Sequence, residues 1–144
     1  MYARTIFVTL ALAAAILAVP ALRRRLASDE AKVRWRIADA IADFNAGNTR
    51  AADVLAHGFI DETSGMSRDD LRAAIAFAAF HRRGPGGRFG YRLESDEPIV
   101  EVDGDTARAN LRLRLLDARR EPGALVWECA VEGELRRGDD GWQC

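Results

Sequence analysis

At Arg88 the hydrophobic period of this 144-residue chain changes from 3.6 to 2, so helices must come first and antiparallel strands last. Before the switch, Val33, Ile37, Ala40, Ile41 and Phe44 recur at three- and four-residue steps and predict an amphipathic helix over 28–48. Ser28 with Asp29 and Glu30 suits its positive amino end, and Gly47 can take the left-handed conformation that stops it. Asn48 or Thr49 then caps a second, short helix through Ala51, Ala52, Val54 and Leu55. "HGFIDETSG" (57–65) reads as a short strand or extended segment centred on Phe59 and Ile60, with Gly65 at its exit. Ser67-Arg68-Asp69-Asp70 has the spacing of a capping box and opens a further helix. Its stripe of Leu71, Ala74, Ile75 and Ala78 is widened by Phe77 and Phe80, which predicts a helix covered on two sides. "RRGPGG" (82–87) ends it.

After the switch, "RFGYRLESDEPIVEV" (88–102) supplies one or two strands, broken near Asp96-Glu97-Pro98 because proline cannot donate to a ladder. Asp103-Gly104 is a hairpin dipeptide. The next strand sets Ala107, Ala109, Leu111, Leu113 and Leu115 on one face and Arg108, Asn110, Arg112 and Arg114 on the other. A further strand sets Leu125, Trp127, Cys129 and Val131 against Val126, Glu128, Ala130 and Glu132. Antiparallel pairing of these two would lay the arginine row beside Glu128, Glu132 and Glu134, as cross-strand pairs worth about 0.2–1 kcal/mol each. A nucleic-acid surface would leave that charge uncompensated and add stacking aromatics, so no nucleic-acid partner is expected.

Residues 5–22 are 18 uncharged, mainly apolar residues, enough to cross a bilayer as a helix, with Arg4 before them and Arg23-Arg24-Arg25 behind. A cleaved signal and an uncleaved anchor compete, since Val19-Pro20-Ala21 offers small residues at a cleavage site. The three arginines favour the anchor and draw the following domain toward the cytoplasm. The chain thus divides into a hydrophobic anchor with a basic flank (1–27) and one domain (28–144), export after cleavage being the alternative. From Ser28 onward, 17 basic residues face 22 acidic ones, against a phosphate-binding body. Cys129 and Cys144 have no metal-site spacing, and two reduced thiols are favoured over a disulfide.

"FNAGN" (44–48), "GFIDETSGMSRDDL" (58–71), "VDGDTARANL" (102–111) and "EGELRRGDDGW" (132–142), taken in order, resemble the nuclear transport factor 2-like superfamily. This is the cone fold of the polyketide-cyclase-like (SnoaL-like) and ketosteroid-isomerase-like proteins. The resemblance covers 31–143 and implies an α+β domain of about three helices packed on a curved antiparallel sheet around an apolar pocket. In isomerase-like members an acid following the second helix acts as base, and a tyrosine of the first helix donates to the developing enolate. Asp61 or Glu62 stands at the matching acid position, but no tyrosine occurs from Ala31 to Gly47. Oxyanion stabilisation, worth about 2.7–4 kcal/mol for one hydrogen bond, would have to come from elsewhere, and Tyr91 or Trp127 could donate, although nothing in the sequence places them opposite Asp61.

Trp35, Phe44, Phe59, Phe77, Phe80 and Trp127 are expected to wall the core or pocket. His57 and Asp61 share a strand face but would lie about 13 Å apart, beyond hydrogen-bond reach. His81 suits the carboxyl end of its helix. With two histidines and no phosphate loop, nucleophile elbow or dinucleotide fingerprint, no metal or cofactor is expected. The expected function is a membrane-anchored module that binds a small hydrophobic molecule or a protein, a second copy included. The alternative is a small lyase or isomerase of polyketide-cyclase type with Asp61 or Glu62 as general base.

Overall fold

The computed structural model describes residues 27–120, 123–139 and 141–144, so the expected membrane segment 5–22 lies outside the described residues. Among the described residues, no helix is long and apolar enough to cross a membrane.

Helix α1 runs Asp29–Asn45, and Ser28 caps it by accepting from the Ala31 amide at 3.3 Å. Beyond its end Gly47 adopts φ +69°, where an added Cβ would also come within 3.1 Å of the Phe89 ring. Asn48 accepts from the Arg50 amide at 3.0 Å and opens the expected short helix, Thr49–Val54, which winds as a 3-10 helix. The short strand or extended segment expected at 57–65 is a run of turns with a single bridge between Ile60 and Ser67. Its acid explains why: Asp61 Oδ2 accepts from the Ser64 amide at 2.6 Å and the Ser64 hydroxyl at 2.5 Å, a local closure that competes with a ladder.

Helix α2 runs Arg68–His81 and opens on a complete capping box. Ser67 Oγ accepts from the Asp70 amide at 3.2 Å, and Asp70 Oδ2 accepts from the Ser67 amide at 3.0 Å. The helix is covered on one side only, contrary to the two-sided expectation. Ile75 is buried while Phe77 and Phe80 stand in solvent. At about 100° per residue, those phenylalanines point roughly 200° and 140° away from Ile75. The 3-10 segment packs against the Ile75 side, and nothing described covers the other.

The sheet contains β1 (Tyr91–Ser95), β2 (Ile99–Asp103), β3 (Thr106–Asp117), β4 (Ala124–Gly138) and β5 (Gly141–Gln143), all pairings antiparallel. β1 and β2 share one edge of β3 and are separated by the Asp96-Glu97-Pro98 break, as the sequence predicts. β4 lies along the other edge of β3, and β5 pairs only with Arg136, Arg137 and Gly138. Helix α1 crosses the inner face of the sheet. There Val33 and Ile37 meet Val100, Ala107, Ala109, Leu135 and Trp142 to form the core. At its other end Asn45 brackets Leu93, donating to its carbonyl at 3.0 Å and accepting from its amide at 2.6 Å. The architecture is an α+β half-barrel with the helices on its inner side.

One register detail departs from simple alternation. Leu115 pairs with Trp127 but Leu116 pairs with Leu125, so Val126 is an extra residue in a β-bulge. Because paired residues share a face, the bulge keeps Trp127 on the inner face and turns Leu125 onto the arginine face.

Candidate functional site

The acid matched to a catalytic base is held as a turn closure. The Ser64 hydroxyl, then the Ser64 amide, lower the Asp61 pKa below the ordinary 3.8, the reverse of what a general base near neutrality needs. Glu62 is exposed. Tyr91 lies at the start of β1, its ring 5.9 Å from that of Phe89 and 5.7 Å below the Arg119 guanidinium. Among the described residues no hydrogen bond joins Tyr91 to Asp61, so the structure does not bring the candidate base and donor together. His57 is exposed in the turn region, and His81 packs between Phe77 and Phe80 at ring separations of 4.4 and 5.0 Å.

The aromatic candidates scatter. Phe44 packs edge-on to Phe89 at 5.3 Å under the end of α1, and Phe59 is half-buried in the turns. Trp35 lies partly exposed on α1, Trp127 is half-exposed on the inner sheet face, and Phe77 and Phe80 stand outside on α2. Two surface clefts include none of the six. One, of about 220 Å³, is lined by Ala56, Glu134, Arg136, Arg137, Gln143 and Cys144, and the other, of about 430 Å³, by Arg36, Asp39, Asp43, Arg50 and Asp53. Both are open surface clefts, without the apolar enclosure of a small-molecule site.

Sequence reasoning missed the hub at Asp53. Its Oδ1 accepts from Arg68 Nη2 at 2.8 Å and from Arg72, while its backbone carbonyl accepts from Arg36. The Arg68 bond, then that of Arg72, pulls the Asp53 pKa below 3.8 against the opposing effect of burial. Arg68 is itself buried, and its Nε and Nη1 have no hydrogen-bond partner among the described residues. This hub ties α1, the 3-10 segment and α2 together. The one advance signal was an arginine at the first position of a capped helix, where cations are disfavoured unless paired.

The arginine row lies where strand alternation places it. Arg108 is opposite Glu134, Asn110 opposite Glu132 and Arg114 opposite Glu128. Arg112 reaches Glu128 diagonally at 3.8 Å, and Arg114 reaches Asp96 at 3.3 Å. The outer face is thus charge-compensated. Cys129 and Cys144 are free thiols whose pKa values burial pushes up, with Glu134 adding to the effect at Cys144. Among the described residues no group of His, Cys, Asp and Glu could hold a metal ion.

No protein-family model and no curated protein matches the sequence. Solved structures do. An NTF2-like protein with a cystatin-like fold from Novosphingobium aromaticivorans is 21% identical with a TM-score of 0.65, over 88% of this chain and 84% of that one. A domain with a cystatin-like fold from Nostoc punctiforme gives 21% and 0.61 over 80% and 72%. A Catenulispora acidiphila protein in complex with S-DNPA gives 21% and 0.55 over 77% and 83%. These agree with the half-barrel and its helices in likeness of shape, at identities that speak to the fold alone: the chain has the nuclear transport factor 2-like cone fold.

Proposed function

We propose that the chain is a membrane-anchored interaction module, held to the bilayer by residues 5–22 with its domain on the cytoplasmic side, and that it works by contact and not by catalysis. The observation that carries this reading is the apolar surface: Ile60, Phe77, Phe80, Leu125 and Val126 are each more than half exposed. Of these, Phe77 and Phe80 stand together on one side of α2, both against His81, and adjoining exposed aromatics of this size mark contact sites. The low pKa of Asp61 counts against the lyase or isomerase alternative, because a carboxylate stabilised in its ionised form has little proton affinity.

The test is native mass spectrometry of the full chain, purified from membranes without refolding and released from detergent. Dimer mass or a co-purified protein partner is the expected result. A retained small apolar molecule would favour the ligand-binding form of the module. A bare monomer whose turnover of a cyclisable polyketide is abolished by Asp61→Asn would overturn the reading in favour of the enzyme. A reporter active only outside the cytoplasm, fused after Cys144, tests the orientation and is expected to be silent.

A further inference from the structure

One pole of the domain is strongly basic and apolar at once. The loop after α2 and the loop between β3 and β4 meet there: the Ala118 amide donates to the Gly90 carbonyl at 3.0 Å, and a Cβ added at Gly84 would meet the Arg119 side chain at 3.7 Å. Together they bring Arg82, Arg83, Arg88, Arg119 and Arg120 to one end of the molecule. Asp117 occupies Arg119 at 2.7 Å and also attracts the exposed Arg120, while Arg82, Arg83 and Arg88 are exposed and form no ion pair among the described residues. Glu121, the nearest acid in sequence, lies outside them. Beside the arginines, Phe80 is 72% and Phe77 61% exposed, both packed on His81 one residue before Arg82. Leu125 and Val126 follow the second loop at 57% and 54% exposure.

We propose that this pole docks on an anionic lipid surface, Arg82, Arg83, Arg88 and Arg120 engaging headgroups while Phe77 and Phe80 enter the headgroup–acyl boundary. Paired basic and apolar groups are what hold a domain to such a surface. A lipid surface fits better than an acidic peptide because the exposed Phe77 and Phe80 beside the arginines need an apolar layer to enter, which an acidic chain does not offer. The proposal rests on the membrane-anchored reading only for what brings the pole to the bilayer. Helix α1 ends at this pole, where Phe44 meets Phe89, and starts about 25 Å away at its 17-residue length. Residues 23–28 can span about 20 Å. The pole therefore reaches the bilayer when α1 lies along the membrane plane.

The test uses the full chain, mixed with vesicles of phosphatidylcholine alone or with phosphatidylglycerol added, after which detergent is removed. Amide hydrogen exchange is then read over residues 77–90 and 118–126. Slowed exchange on phosphatidylglycerol vesicles only, reversed by high salt, is expected. Each arginine near an anionic surface is worth about a fivefold shift, so Arg82→Gln with Arg83→Gln should lower the ratio of docked to free domain roughly 30-fold. Phe80→Ser should weaken docking without restoring exchange elsewhere. Equal exchange on both vesicles, or protection that survives the arginine changes, overturns the proposal. Protection induced by polyglutamate and not by lipid overturns it in favour of an acidic protein partner. Retention on phosphatidylcholine vesicles reads the anchor separately. Its failure sinks the anchored reading alone, since the pole must still bind phosphatidylglycerol vesicles by itself.

Discussion

Single carboxylates do structural work here that their positions in sequence do not advertise. Asp53 balances the buried Arg68 and the more open Arg72, so Asp53→Ala strands a guanidinium in the protein interior. Because Asp53 is one-third exposed, the cost falls below that of a fully buried pair, at about 2–3 kcal/mol, readable as a lower thermal midpoint. Asp117 is held by the Arg119 side chain, then by its amide, at a pKa of about 2, well under the ordinary 3.8. Its folded value is the lower one, so the contact stabilises the fold above pH 3.8, and that stabilisation fades as pH falls through about 2. Asp117→Asn should therefore flatten the acid limb of a thermal-midpoint-against-pH profile over that window and leave the slope above pH 5 unchanged. Arg119 stands in the loop between β3 and β4. That it closes back on Asp117 and covers Tyr91 follows only once the two strands and their loop are in register.

Elements formed where local chemistry was unambiguous and failed where it was not. The Ser67–Asp70 box is complete, and Ser67→Ala should cost about 1 kcal/mol in unfolding free energy by chemical denaturation. Gly47→Ala should cost a comparable amount, from the left-handed backbone and the Phe89 contact together. The segment 57–65 had strand-like composition but contains an Asp–Ser pair able to close a turn on itself, and local closure won. Helix α2 carries apolar residues on more than one side, and composition could not tell which side would be covered. The bare side predicts that Phe77→Ser and Phe80→Ser shift the thermal midpoint negligibly, within about 0.5 kcal/mol, although Phe80→Ser weakens lipid docking. A loss comparable to that of a core phenylalanine would mean that the helix is covered after all.

Across the whole molecule, charge and shape are arranged around one long strand pair. The salt-linked face of β3 and β4 contributes little per pair, so Arg112→Glu beside Glu128 should cost no more than about 1 kcal/mol and leave the fold intact. The edge of β4 over residues 124–135 has no strand partner among the described residues, and Glu128, Glu132 and the bulge at Val126 suit an edge kept from further pairing. Sequence by itself determined that helices precede the sheet, the caps, the break at Pro98, the hairpin at Gly104 and the in–out alternation of β3. Each of these depends on neighbours within a few residues, where backbone and side-chain chemistry leave few choices. Tertiary structure decided the rest: the Asp53 hub, the parity change at Val126, the uncovered side of α2, and the meeting of two arginine loops 30 residues apart at one pole. Those outcomes depend on which distant surfaces come together, and the same local pattern is compatible with either a covered or an open aromatic face.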